Sequence, residues 1–191
     1  MYEKIVLPRN WDFISSLLDF IPNSILAGSI VDHVHLSSDV DTDARILKDI
    51  DLEIDQQDYQ ELLSKCNIAY SGEPVKEIKF LDLDLRLTKF ELYTSILIYQ
   101  GSYKNKPIDV FVIPEKRDFE TFKIKDFDIR IQTIFSRKEV IDSVLEIDAK
   151  NAKPMTKIWI KNKQQILSKR KNILDKKLAS MEGNWKIFKK I

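Results

Sequence analysis

The chain has 191 residues, 43% apolar and 32% charged, which suits one globular domain with a small appendage and excludes disordered and fibrous classes. Four glycines, six prolines and a single cysteine, Cys66, exclude collagen-like and disulfide-stapled secreted chains and point to a reducing compartment. The net charge of +1 conceals an asymmetry: residues 1–149 hold 18 Lys and Arg against 28 Asp and Glu, net −10, whereas residues 150–191 hold 13 against 2, net +11.

In chain order, Asn10 can cap a helix over residues 11–21, in which Phe13, Ile14, Leu17, Leu18 and Ile21 recur at helical spacing before Pro22 ends it. A short strand at Ile25, Leu26 and Ala27 runs through a Gly28-Ser29 turn into a helix, IVDHVHL. A polar insert, SSDVDTDARILK, precedes residues 49–55, where Ile50, Leu52 and Ile54 alternate with four carboxylates as in a strand. A helix fits residues 56–66, and a turn follows around Ser71, Gly72, Glu73 and Pro74. Next, IKFLDLDLRL reads as one alternating strand, FELYTSILIYQ and PIDVFVI as a hairpin across a GSYKNK loop, and ETFKI and DIRIQTI as two further strands. Ser136 is expected to cap a helix carrying Val140, Ile141, Val144 and Leu145. From Pro154 onward, Ile158, Trp159, Ile166, Leu167, Ile173, Leu174 and Leu178 trace an apolar stripe along a Lys-rich helix.

The chemistry concentrates on carboxylates. Residues two apart on a strand lie about 6.6–6.8 Å apart on one face, so Asp49, Asp51, Glu53 and Asp55 form an unbroken acidic row. Like charges on a sheet face repel, and the row has two explanations: a charge-defended edge strand, or a bound divalent cation. Asp109 stands in a strand otherwise made of Ile108, Val110, Phe111, Val112 and Ile113, where a carboxylate needs a base, hydrogen bonds or a metal. Beside the 49–55 strand it would meet Asp49 and Asp51 and complete an oxygen set for one or two Mg²⁺ ions. Asp82 and Asp84 are the other acids that could take its place. The Gly28-Ser29 turn before a helix suits phosphate oxygens, because glycine admits close backbone approach and the helix start presents free N–H groups.

This arrangement resembles the nucleotidyltransferase-fold superfamily, which includes DNA polymerase β, poly(A) polymerases, CCA-adding enzymes and small adenylyltransferases. The matching residues are Ala27-Gly28-Ser29, Asp49-Ile50-Asp51 on a strand after a helix, and Asp109 on a later strand, within roughly residues 20 to 115. The resemblance implies that Gly28 and Ser29 bind the triphosphate, that Asp49 and Asp51 hold the metals, and that Asp109 completes the site and helps deprotonate the attacking hydroxyl. Nineteen residues separate Ser29 from Asp49, so an inserted loop is expected there. Asp32-His33 stands where CCA-adding enzymes have Arg then Asp, and that subfamily's tRNA-end specificity is not carried over.

Other motifs read as bland. Asp39, Asp41 and Asp43 lack the glycine and final glutamate of a calcium loop, and His33 and His35 point apart on a helix. Asp55 with Glu77-Ile78-Lys79 loosely fits a nuclease pattern that leaves the Gly-Ser turn and Asp109 unused. No apolar run approaches the ~20 residues of a membrane span and no signal pattern opens the chain, so a cytoplasmic protein with no membrane partner is expected. The basic helix either contacts phosphates, through Lys163, Lys169, Arg170 and Lys171, or docks on the acidic domain. The expected architecture is α+β: a nucleotidyltransferase-like mixed β-sheet flanked by helices over residues 1–149, and a basic C-terminal helical extension over 150–191. The expected activity is metal-dependent transfer of an NMP from an NTP to an acceptor hydroxyl with release of pyrophosphate. Mg²⁺ or Mn²⁺ is the cofactor; an RNA end is the favoured acceptor, with a protein or small molecule as others. The alternative is a catalytically inactive module of the same fold that binds nucleic acid or another partner.

Overall fold

The computed structural model describes residues 11–21, 23–36, 49–80, 84–90, 96–124, 127–148, 150 and 154–188. Asn10, Pro22, Asp39, Asp41, Asp43 and Asp82, and with them the insert, lie outside these residues. The fold is α+β. Eight strands form one mixed sheet: β1 (Ile25–Ala27), β2 (Ile50–Asp55), β3 (Glu77–Phe80), β4 (Leu85–Phe90), β5 (Leu97–Tyr103), β6 (Lys106–Ile113), β7 (Phe119–Ile124) and β8 (Phe127–Gln132). Their order across the sheet is β3-β4-β5-β6-β2-β1-β8-β7. The helices are α1 (Trp11–Phe20), α2 (Ser29–Leu36), α3 (Gln56–Lys65), α4 (Ile134–Leu145) and α5 (Pro154–Phe188).

Alternation on β2 and β6 decides the layering. β2 pairs parallel with β6, Ile50 opposite Ile108 and Leu52 opposite Val110, and antiparallel with β1, Leu52 opposite Leu26. Adjacent strands in register send paired side chains to one face, so Ile50, Leu52, Ile54, Ile108, Val110 and Leu26 share an apolar layer. Ile14 and Leu17 of α1 and Tyr59, Leu62 and Leu63 of α3 join that cluster. The Tyr59 and Tyr99 hydroxyls meet at 2.6 Å inside it, and Tyr99 Oη donates to the Val75 carbonyl at 2.8 Å, so neither buried hydroxyl is orphaned. The polar members of the same strands are left on the opposite face.

A second core joins α4 to α5, with Ile134 and Ile141 packed against Leu167, Leu174 and Leu178. The apolar stripe of α5 is thus half-used: Ile158 and Ile166 remain more than half exposed. Hydrogen bonds from Gln164 Nε2 to the carbonyls of Val144, Leu145 and Ile147, at 3.0–3.2 Å, cap the end of α4, and with one salt bridge from Lys171 to Asp142 they fix the rotation of α5. Among the described residues no helix is long and apolar enough to cross a membrane.

Three local expectations need correction. Residues 78–87 are not one strand: β3 and β4 are antiparallel partners with Phe80 opposite Leu85, and Asp84 sits in the turn between them. The chain reverses within a run whose alternation looks the same in both directions, so periodicity alone concealed the hairpin. The GSYKNK loop shrinks to Lys104 and Asn105, both with positive φ (47° and 63°), as a tight two-residue hairpin requires. The cap of α4 is Thr133, whose hydroxyl accepts from the Ser136 amide at 3.1 Å, while Ser136 is buried inside the helix.

Candidate active site

The polar face of the central strands brings two of the predicted acids, Asp51 and Asp109, into register. β2 is an interior strand, with β6 on one side and β1 on the other, so its acidic row does not defend a sheet edge. Asp51 pairs in register with Asp109 of β6 and with Ala27 of β1. Neighbouring strands lie about 4.7–4.9 Å apart, so the Asp51 and Asp109 side chains stand side by side, and Asp49, just before β2, is near enough for its charge to act on both. The other candidate for the third acid, Asp84, is exposed in the β3-β4 turn at the sheet's edge, three to four strands away from β2.

The Gly28-Ser29 turn abuts this pair. Gly28 has φ +68°, and a Cβ there would lie 1.7 Å from Asp51 Oδ2. Only glycine both adopts this backbone and leaves room for the carboxylate. Ser29, the first residue of α2, places its hydroxyl 3.5 Å from Asp49 Oδ1, a long contact. Gly28→Ala is therefore expected to cost about 1–3 kcal/mol of stability and to displace Asp51, read as a lower urea midpoint together with weaker divalent-cation binding. An unchanged midpoint would contradict the packing.

The electrostatics follow from crowding. Burial first, then the charge of Asp49, lift the Asp51 pKa from 3.8 to about 7, with Lys163 and Arg137 opposing and Asp109 adding to the rise. Burial also holds Asp109 above the ordinary carboxylate range, against a hydrogen bond from Gln100 and the charge of Lys163. Lys163, on α5, thus acts at the acidic pair; its ammonium also stands 5.7 Å from the centre of the Trp159 ring.

The remaining acids of the row have structural work. Glu53, 3% exposed, accepts from Arg117 and, at 3.1 Å, from Gln132 Nε2. Asp55 caps α3 by accepting from the Asp58 amide at 2.8 Å. Against the upward pull of burial, that amide and Lys116 hold its pKa down. Glu77 pairs with Lys79 and Arg86 on the edge strand β3, so the nuclease-like pattern is not assembled.

Of the basic residues predicted to meet nucleic acid, Lys169 is exposed. Lys171 is engaged with Asp142, and Arg170 Nε lies 4.0 Å from Asp32 Oδ2. Asp32, 3% exposed on α2, is held by Arg137 of α4 through two hydrogen bonds of 3.0 Å each. Sequence reasoning missed this buried pair, the Glu53-Arg117-Gln132 cluster and Gln100, whose Nε2 donates to Asp109 Oδ1 at 3.0 Å.

Among the described residues no group of three or more His, Cys, Asp and Glu side chains is gathered to hold a metal ion. The donor chemistry of the acidic face nevertheless fits a hard divalent cation. Its carboxylates offer oxygen alone, and a bound cation would offset both the burial and the Asp49 repulsion that raise Asp51. A scan against protein-family models finds none that matches, and searches of curated proteins and of solved structures find no significant match.

Proposed function

We propose that the chain is a metal-dependent nucleotidyltransferase of the nucleotidyltransferase-fold type. The reading is supported above all by one juxtaposition: Asp51 and Asp109 in register on adjacent parallel strands, with the side-chain-free Gly28 packed on Asp51.

In this reading Asp49, Asp51 and Asp109 hold Mg²⁺ or Mn²⁺. When bound, the cation stabilises charge on the attacking and leaving oxygens of an in-line displacement. Gly28 and Ser29, at the start of α2, orient the triphosphate tail through backbone N–H groups, and Lys163 supplies positive charge beside it. The acceptor oxygen forms its bond to the α-phosphorus as the bond from that phosphorus to the bridging oxygen breaks. The acceptor's proton passes to the Asp109 carboxylate, and pyrophosphate leaves. The proposed acceptor is an RNA end, approached over the exposed lysines Lys161, Lys169 and Lys176 of α5.

Calorimetric titration of each of the four nucleoside triphosphates, with and without Mg²⁺, tests the reading. Binding that requires Mg²⁺ and disappears in Asp49→Asn is the expected result. No binding of any triphosphate, with RNA affinity that survives Asp49→Asn and falls steeply with salt, would replace it by a nucleic-acid-binding module.

A further inference from the structure

We infer that Gln100 is the positioning residue for Asp109, setting the metal affinity of the site; the inference rests on the reading just given. The hairpin of β5 and β6 dictates the placement. From the Lys104-Asn105 turn the strands pair outward, Tyr103 with Lys106, Ser102 with Pro107, Gly101 with Ile108 and Gln100 with Asp109. The Gln100 and Asp109 side chains thus share a face, and Gln100 Nε2 donates to Asp109 Oδ1 at 3.0 Å.

Among the described residues no other side chain hydrogen-bonds the Asp109 carboxylate, and none forms a salt bridge with it. The amide is suited to the task. It donates a hydrogen bond that fixes the carboxylate's rotation, yet it carries no charge and so does not itself neutralise Asp109. A Lys or Arg in its place would neutralise the acid, and a Glu could only accept. Oδ1 is tethered, and among the described residues no side chain hydrogen-bonds Oδ2. Outer partners of this kind pre-orient metal-binding carboxylates, and their loss typically costs 10–100-fold in affinity.

The test is Mn²⁺ affinity of the full chain, measured by electron paramagnetic resonance of free Mn²⁺, for wild type, Gln100→Leu, Gln100→Asn and Asp109→Asn. Thermal midpoints are recorded in EDTA. Gln100→Asn keeps the amide but withdraws it by one methylene, and it serves if Gln100→Leu does not fold. The expected result is Mn²⁺ binding weakened about 10–100-fold in both Gln100 variants with midpoints within a few degrees of wild type. Wild-type affinity in a folded Gln100 variant, alongside weakened binding in Asp109→Asn, would overturn the inference alone. Absence of Mn²⁺ binding by the wild-type chain would overturn both the inference and the nucleotidyltransferase reading.

Discussion

Asp51→Asn is expected to stabilise the metal-free protein above neutral pH while abolishing Mg²⁺-dependent triphosphate binding. Burial and the neighbouring Asp49 raise the Asp51 pKa from 3.8 to about 7, so in this range the folded chain holds a proton that the unfolded chain has lost. Stability then falls as pH rises. The group contributes nothing below about pH 4, where it is protonated in both states, and its full penalty applies above pH 7. A shift of that size has a ceiling of about 4 kcal/mol, and the half-buried position of the side chain brings the expected gain to about 1–3 kcal/mol. Thermal melts in EDTA from pH 4 to 8 check this: the variant should lose the downward slope of wild type and melt several degrees higher at pH 8. Mg²⁺ should recover stability in wild type at pH 8 and not in the variant. Parallel slopes in the two proteins would show that Asp51 is not strained.

Arg137→Met is expected to be strongly destabilising, by about 3–5 kcal/mol, because it leaves the Asp32 carboxyl, 3% exposed, without its two-hydrogen-bond partner. For a chain of this length that lowers the thermal midpoint by roughly 8–15 °C. The pair ties α2, which starts at Ser29, to α4, and Arg170 of α5 adds a weaker tie, so the loss should also loosen the Gly28-Ser29 turn. The double variant Asp32→Leu, Arg137→Met removes both charges and should recover most of the stability. Urea titrations of the two singles and the double settle the coupling; additive losses would contradict the pairing.

The acidic centre was legible because its signals are local. A glycine before a helix, alternating acids, and a lone acid in an apolar strand are each visible within a few residues, and β2 and β6 bring Asp51 and Asp109 together as that pattern implies. Partners far apart in sequence were not legible. Asp32 and Arg137 are separated by 105 residues, as are the helices that carry them, and nothing in either segment names the other. Glu53 and Gln132 meet across β1 for the same reason. Gln100 differs, since it could have been found. Reading Lys104-Asn105 as a two-residue turn, with Asn tolerant of positive φ, sets the register and puts Gln100 opposite Asp109 by counting alone. The longer GSYKNK loop hid that step. The charge of the basic tail leaves contact with phosphates and docking both open, and Arg170 and Lys171 serve docking, because an amphipathic helix on an acidic body turns part of its charge inward.

The most direct measurement is transfer of label from each of the four α-labelled nucleoside triphosphates, with Mg²⁺ or Mn²⁺, to pooled RNA, to lysate proteins and to the chain itself. The Asp49→Asn, Asp51→Asn double variant serves as control. Metal-dependent label that appears with the wild-type chain and vanishes in the control is the predicted result, and it identifies base and acceptor together. Label that persists in the control, or none on any acceptor from a chain that binds neither metal nor triphosphate, would contradict nucleotidyl transfer and leave Asp49, Asp51 and Asp109 as structural acids.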